Sequence, residues 1–151
     1  MKYFKNLHAG WADFTVENFN STISYVRDVV WDVLRAYEEF LIFGHCIIPF
    51  DEEGSDFNIY VTDIEIVIVR TDEYCQRQIF TIQENPNEFM RNIALDVADN
   101  LEEWCRWNET GGSDLSTINK KVKELELACV RLGICKTKII EFRGKDNNNN
   151  D

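Results

Sequence analysis

From Val16 to Phe40 the apolar residues recur in steps of three and four: Val16, Phe19, Ile23, Val26, Val30, Val33, Tyr37 and Phe40. An α-helix turns once every 3.6 residues, so this spacing keeps one apolar face over its whole length. It predicts a central helix over residues 16–41. Thr15 or Asn20 can cap its start, because either side chain can accept a hydrogen bond from the free amides of the first turn. Gly44 is the expected stop. Asp28, Asp32, Arg35 and Glu39 are expected on its outward side.

The rest of the chain reads as strands and then helices. Lys2–Phe4 can form a short edge strand, and Gly10 breaks whatever precedes Trp11. His45–Phe50 is strand-like, with Pro49 at an edge or an end. Asp51–Asp56 (DEEGSD) is a loop turning at Gly54. Phe57, Ile59 and Val61 alternate, and so do Ile64, Ile66 and Ile68, but the two sets are out of phase by one residue. A single long strand with a bulge near Thr62–Asp63 is expected, because Thr-Asp makes a poor two-residue hairpin turn. After a loop at Thr71–Gln76, Arg77–Ile82 returns antiparallel. Asn85-Pro86-Asn87-Glu88 then carries the signature of a helix start, with Asn85 as cap and Pro86 where its missing amide costs nothing. This second helix turns Met90, Ile93, Val97, Leu101 and Trp104 inward and sets Asn92, Asp96, Asp99 and Glu103 opposite. Asn108–Ser113 is a flexible connection. A third helix follows, with Leu115, Ile118, Val122, Leu125, Cys129 and Leu132 on one face and Gly133 at its end. Ile134–Phe142 is the last strand. The expected fold is α+β: a single two-layer domain over residues 1–143, an antiparallel β-meander covered on one face by three helices, in the order α-β-β-β-α-α-β. Residues 144–151 are too polar to bury anything and are expected to be a disordered tail.

Catalytic, metal and cofactor frames are missing. The two histidines, His8 and His45, stand in no nucleophile motif, and no G-x-S-x-G surrounds a serine. The glycines form no phosphate cradle, and no paired Cys/His spacing marks a metal. The DEEGSD loop lacks the alternating ligands of a calcium loop. The five cysteines are odd in number and include no C-x-x-C pair, so they read as reduced thiols of a cytoplasmic protein. No apolar stretch is long enough to span a membrane, and the first residues lack the apolar core of a signal peptide. Lys120, Lys121 and Lys123 read as a solvated helix face, and Trp104 and Trp107, about one turn apart, as packing.

Charge is the remaining lead. The net charge is −11. Between Tyr37 and Glu103 there are 16 acids against 3 bases, whereas from Ser113 onward 6 acids meet 8 bases. Such a chain repels nucleic acid and anionic membranes and attracts basic surfaces. The candidate partner-binding residues are Asp28, Asp32 and Glu39, then Asp51, Glu52, Glu53 and Asp56, then Asp96, Asp99 and Glu103. The expected function is a non-enzymatic inhibitor or immunity-type protein. Its carboxylates would stand in for phosphates and occupy a nuclease or another nucleic-acid-binding enzyme. The alternative is an assembly protein that forms a homodimer through helix or sheet-edge contacts.

Overall fold

The computed structural model describes residues 1–108 and 114–134. Among them the chain runs β1 (Phe4–His8), β2 (Trp11–Val16), β3 (Phe19–Ser24), α1 (Val29–Phe43), β4 (Cys46–Asp51), β5 (Asp56–Val61), β6 (Ile66–Thr71), β7 (Arg77–Ile82), α2 (Pro86–Ala98), α3 (Leu101–Asn108) and α4 (Leu115–Arg131). The class is α+β, but the element order differs from the expected one. The strands form two antiparallel sheets, β1-β2-β3 and β4-β5-β6-β7, and the described helices number four. Most of the Asn108–Ser113 connection, the last strand beyond Ile134 and the polar tail lie outside the described residues.

The long apolar stripe is two structures. Its first part is the β2–β3 hairpin, in which Val16 and Phe19 pair across the two-residue turn Glu17–Asn18. A step of three spans such a turn, and a step of four keeps to one face of a strand, so a hairpin counterfeits helical spacing. Asn18, Asn20, Ser21 and Thr22 are poor helix formers and decide the matter. Val26, which a helix from residue 16 would bury, is 59% exposed. Helix α1 starts only after Asp28, whose side chain accepts the Trp31 amide at 3.2 Å. Asp28 is therefore the cap, and Thr15 and Asn20 instead face each other across the hairpin. Gly44 ends α1 as expected: at φ 75° its amide donates to the Phe40 carbonyl at 2.8 Å.

Two other expectations change. Residues 57–71 are not one bulged strand but the β5–β6 hairpin, closed by the Thr62 amide donating to the Glu65 carbonyl at 2.9 Å. The Thr62 hydroxyl accepts the amides of Ile64 and Glu65 at 3.3 and 3.1 Å, so a side chain supplies the turn that Asn-Gly usually makes. The second helix is broken at Asp99–Asn100 into α2 and α3. Its inward stripe from Met90 to Trp104 nonetheless stays buried throughout. The Asn85 cap holds, accepting the Glu88 amide at 3.1 Å with Pro86 first in the helix. Helix α4 is capped by Asp114, whose carboxyl is held below its usual range by hydrogen bonds from Thr117.

The core joins the two sheets through phenylalanines. Phe14 and Phe19 of the smaller sheet meet Phe50 and Phe57 of the larger, with ring centroids 5.2 Å apart for Phe14–Phe50 and 4.8 Å for Phe19–Phe57. Trp104 of α3 stands edge-on to Phe4 at 5.1 Å. Such pairs add about 0.5–1.5 kcal/mol each beyond the area they bury. Among the described residues, no helix is long and apolar enough to cross a membrane.

Candidate functional site

The ten acids singled out by sequence fall into two kinds of place. Three are built into the interior. Asp96 is 6% exposed, and its two carboxylate oxygens accept the backbone amides of Lys2, Tyr3 and Phe4. The bonds from Tyr3 and Phe4 are 2.6 and 3.2 Å long. Helix α2 thus holds the start of β1 through one side chain, and Asp96 is not on the solvent face where the helical pattern puts it. Asp32 is also buried, between Arg27 at 2.9 Å and Arg35 at 3.1 Å. Its hydrogen bond with Arg27 pushes that guanidinium's pKa upward. Glu52 takes a two-pronged bond from Arg70, at 3.1 and 2.7 Å, and the hydroxyls of Ser21 and Ser55 at 2.6 and 3.1 Å. Arg70 also donates to the Asn20 carbonyl at 3.0 Å and covers the Phe19 ring at 4.6 Å. This network clasps the two sheets together.

The other acids lie nearer solvent, and not all together. Glu53 and Asp56 are exposed at the β4–β5 hairpin, where half-buried Asp51 accepts the Glu53 amide at 2.7 Å. Asp28 is exposed at the head of α1. Glu39 is half-buried, and its charge helps to raise the pKa of the Cys46 thiol, although burial is the larger cause. Asp99 and Glu103 do come together. They line an open groove of about 630 Å³ between the α2–α3 corner and α4. Glu102 and Glu126, which sequence reasoning did not single out, line the same groove. Among the described residues its apolar lining is Ala98, Leu101, Val122 and Ile134, and its one basic lining residue, Arg106, is already paired with Glu102 at 3.0 Å.

The groove can receive a cation or a basic side chain, with apolar contacts beside the charge. The described residues hold no group of three or more His, Cys, Asp or Glu side chains arranged to hold a metal ion. The four described cysteines, Cys46, Cys75, Cys105 and Cys129, form no disulfide among the described residues. No protein-family model, curated protein or solved structure matches the chain.

Proposed function

We propose that this is a small acidic binding protein of the cytoplasm, not an enzyme, which occupies the basic nucleic-acid-binding surface of a nuclease or related enzyme and so inhibits it. The observation that carries the reading is the groove at the α2–α3 corner. Among the described residues four carboxylates line it; the guanidinium there, Arg106, is paired with Glu102, and Asp99 and Glu103 are in no ion pair. A lysine or arginine that normally grips a phosphate meets comparable negative oxygens there, and the excess charge of the chain speeds the encounter. Glu53 and Asp56 extend the anionic surface at the β4–β5 hairpin. Asp32, Glu52 and Asp96 support the reading only indirectly, by holding the framework.

Salt titration of binding to a basic nuclease tests it. Affinity should fall steeply as salt rises, and Asp99→Lys with Glu103→Lys should weaken binding by roughly tenfold or more. Binding that is indifferent both to salt and to this double reversal would discard the proposal.

A further inference from the structure

The larger sheet has a second face, turned away from the core. Register places its outward side chains in three rows across β4, β5, β6 and β7. The first is Ile47, Tyr60, Val67, Thr81; the second Pro49, Asn58, Val69, Ile79; the third Asp51, Asp56, Thr71, Arg77. The first two rows carry no charge, in a chain where 28% of residues are charged. Ile79 is 70% exposed, Ile47 49% and Tyr60 40%. A patch of this kind is among the largest a monomer carries, and such patches are often interaction sites. The third row is polarised, with carboxylates at the β4 end and a guanidinium at the β7 end. Asp56 and Arg77 form no ion pair among the described residues. They stand two strands apart, about 10 Å, with Thr71 between them.

We infer that a second copy of the chain covers this face, packed sheet on sheet about a two-fold axis parallel to the strands. That rotation lays β4 of one copy over β7 of the other, and β5 over β6. Each row then meets itself in reverse. Arg77 of each copy stands over the Asp51–Asp56 end of the other, and two ion pairs close one end of the interface. Along the uncharged rows, Tyr60 meets Val67 and Pro49 meets Ile79. The strands of the two sheets stay roughly aligned, as stacked sheets do. A two-fold axis across the strands would instead set the charged row against Ile47 and Tyr60. Desolvating unpaired charges on an apolar surface is unfavourable, so charge selects the first axis.

The covered area sets the strength. Four strands about 4.8 Å apart and six residues long give a footprint of roughly 400 Å² in projection. That belongs to the small, transient class of interfaces, so a weak dimer that dissociates on dilution is expected. The face is separate from the acidic groove and does not depend on its role.

Sedimentation velocity from about 1 µM to about 1 mM tests the inference, in roughly 0.15 M salt to screen net repulsion. A concentration-dependent dimer is expected. Ile79→Lys should raise its dissociation constant at least about tenfold, and Thr81→Lys should do the same. Both positions are exposed, so the monomer keeps its fold, which far-UV circular dichroism checks. Arg77→Glu and Asp51→Arg should each weaken the dimer, and the two together should restore it. A chain that stays monomeric throughout overturns the inference, whether or not it binds another protein through Ile79. So does a dimer that ignores both lysine variants, or a charge-swapped pair that fails to recover.

Discussion

Asp96 and Asp99 are three residues apart in the chain and live in opposite surroundings. Asp96 is enclosed, with three backbone amides on its two oxygens. Asp99 is exposed at the end of α2 and opens onto the groove. The same contrast separates Glu52, clasped by Arg70 and two serines, from Glu53 beside it at the hairpin tip. A carboxylate's job is thus set by the donors that reach it, not by its place in a charge count. Acids met by fixed donors hold the fold, and acids left to water are available to a partner. Mutation can break this division, because the two kinds should respond in opposite ways.

The largest effect belongs to Asp96. Asp96→Ala leaves three amides at the start of β1 without an acceptor, and two of those bonds are buried. A loss of about 3–5 kcal/mol is expected, read as a lower urea midpoint. Asp96→Asn retains one acceptor oxygen and should lose less. If the alanine variant stays within about 1 kcal/mol of the parent, β1 is held by something else.

Arg70 comes next. Arg70→Met strands Glu52 between Ser21 and Ser55 at the seam of the two sheets. Because Arg70 and Glu52 keep side-chain exposures of 23% and 10%, the loss should be about 2–3 kcal/mol, below that for a fully buried pair. Adding Glu52→Gln should recover part of it. A double-mutant cycle with coupling under about 0.5 kcal/mol would show that the clasp contributes little.

A smaller effect is expected at alkaline pH. Burial, followed by the nearby Glu39 charge, pushes the Cys46 thiol from its ordinary 9.0 up to about 12. The folded state therefore keeps a proton that the unfolded state has released. The stabilisation is fully present below about pH 9 and is lost as pH rises toward about 12. The slope contributed is at most about 1.4 kcal/mol per pH unit. Tyr3, raised by burial and by its bond to Glu84, adds in the same direction above its ordinary value of 10.0. Urea midpoints between pH 9 and pH 11 should fall less steeply for Cys46→Val than for the parent. Equal slopes would remove Cys46 as a source.

Which parts of this were legible in the chain follows from how local each cause is. The Asn85-Pro86 start, the Gly44 stop, β4, β7 and the middle of the α4 stripe, Ile118, Leu125 and Cys129, depend on neighbouring residues, and each is found where local rules put it. Leu115 at the head of that stripe is instead exposed. The first apolar stripe misled because a two-residue hairpin turn and a helix share the same three-and-four spacing. Polarity at Asn18–Thr22 was the available signal against helix there. Asp96 stands three residues after buried Ile93 and directly before buried Val97, so its position was already at the margin of the inward face. What took it inside was the amide of Phe4, 92 residues earlier, which no local pattern reveals. The groove was half visible: Asp99 and Glu103 came from the charge pattern, whereas Glu126 joins them only because α4 packs on α3.

The smallest expected effect is the sharpest test of the division. Asp99 caps the C-terminal end of α2, where a negative charge opposes the helix dipole, and the last turn holds no basic residue to offset it. Glu103 lies in the first turn of α3, where the same charge is favourable. Asp99→Lys should therefore gain a few tenths of a kcal/mol, and Glu103→Lys should lose a similar amount. The double variant should melt within about 0.5 kcal/mol of the parent, since among the described residues no fixed donor depends on either carboxylate. Thermal melts at low and at high salt read this directly, because a dipole effect shrinks as salt rises. A loss above about 1 kcal/mol that persists in high salt would mean the groove acids also hold the fold. The same double variant would then no longer separate binding from stability. A near-silent melt leaves Asp99 and Glu103 as carboxylates the folded chain does not itself require.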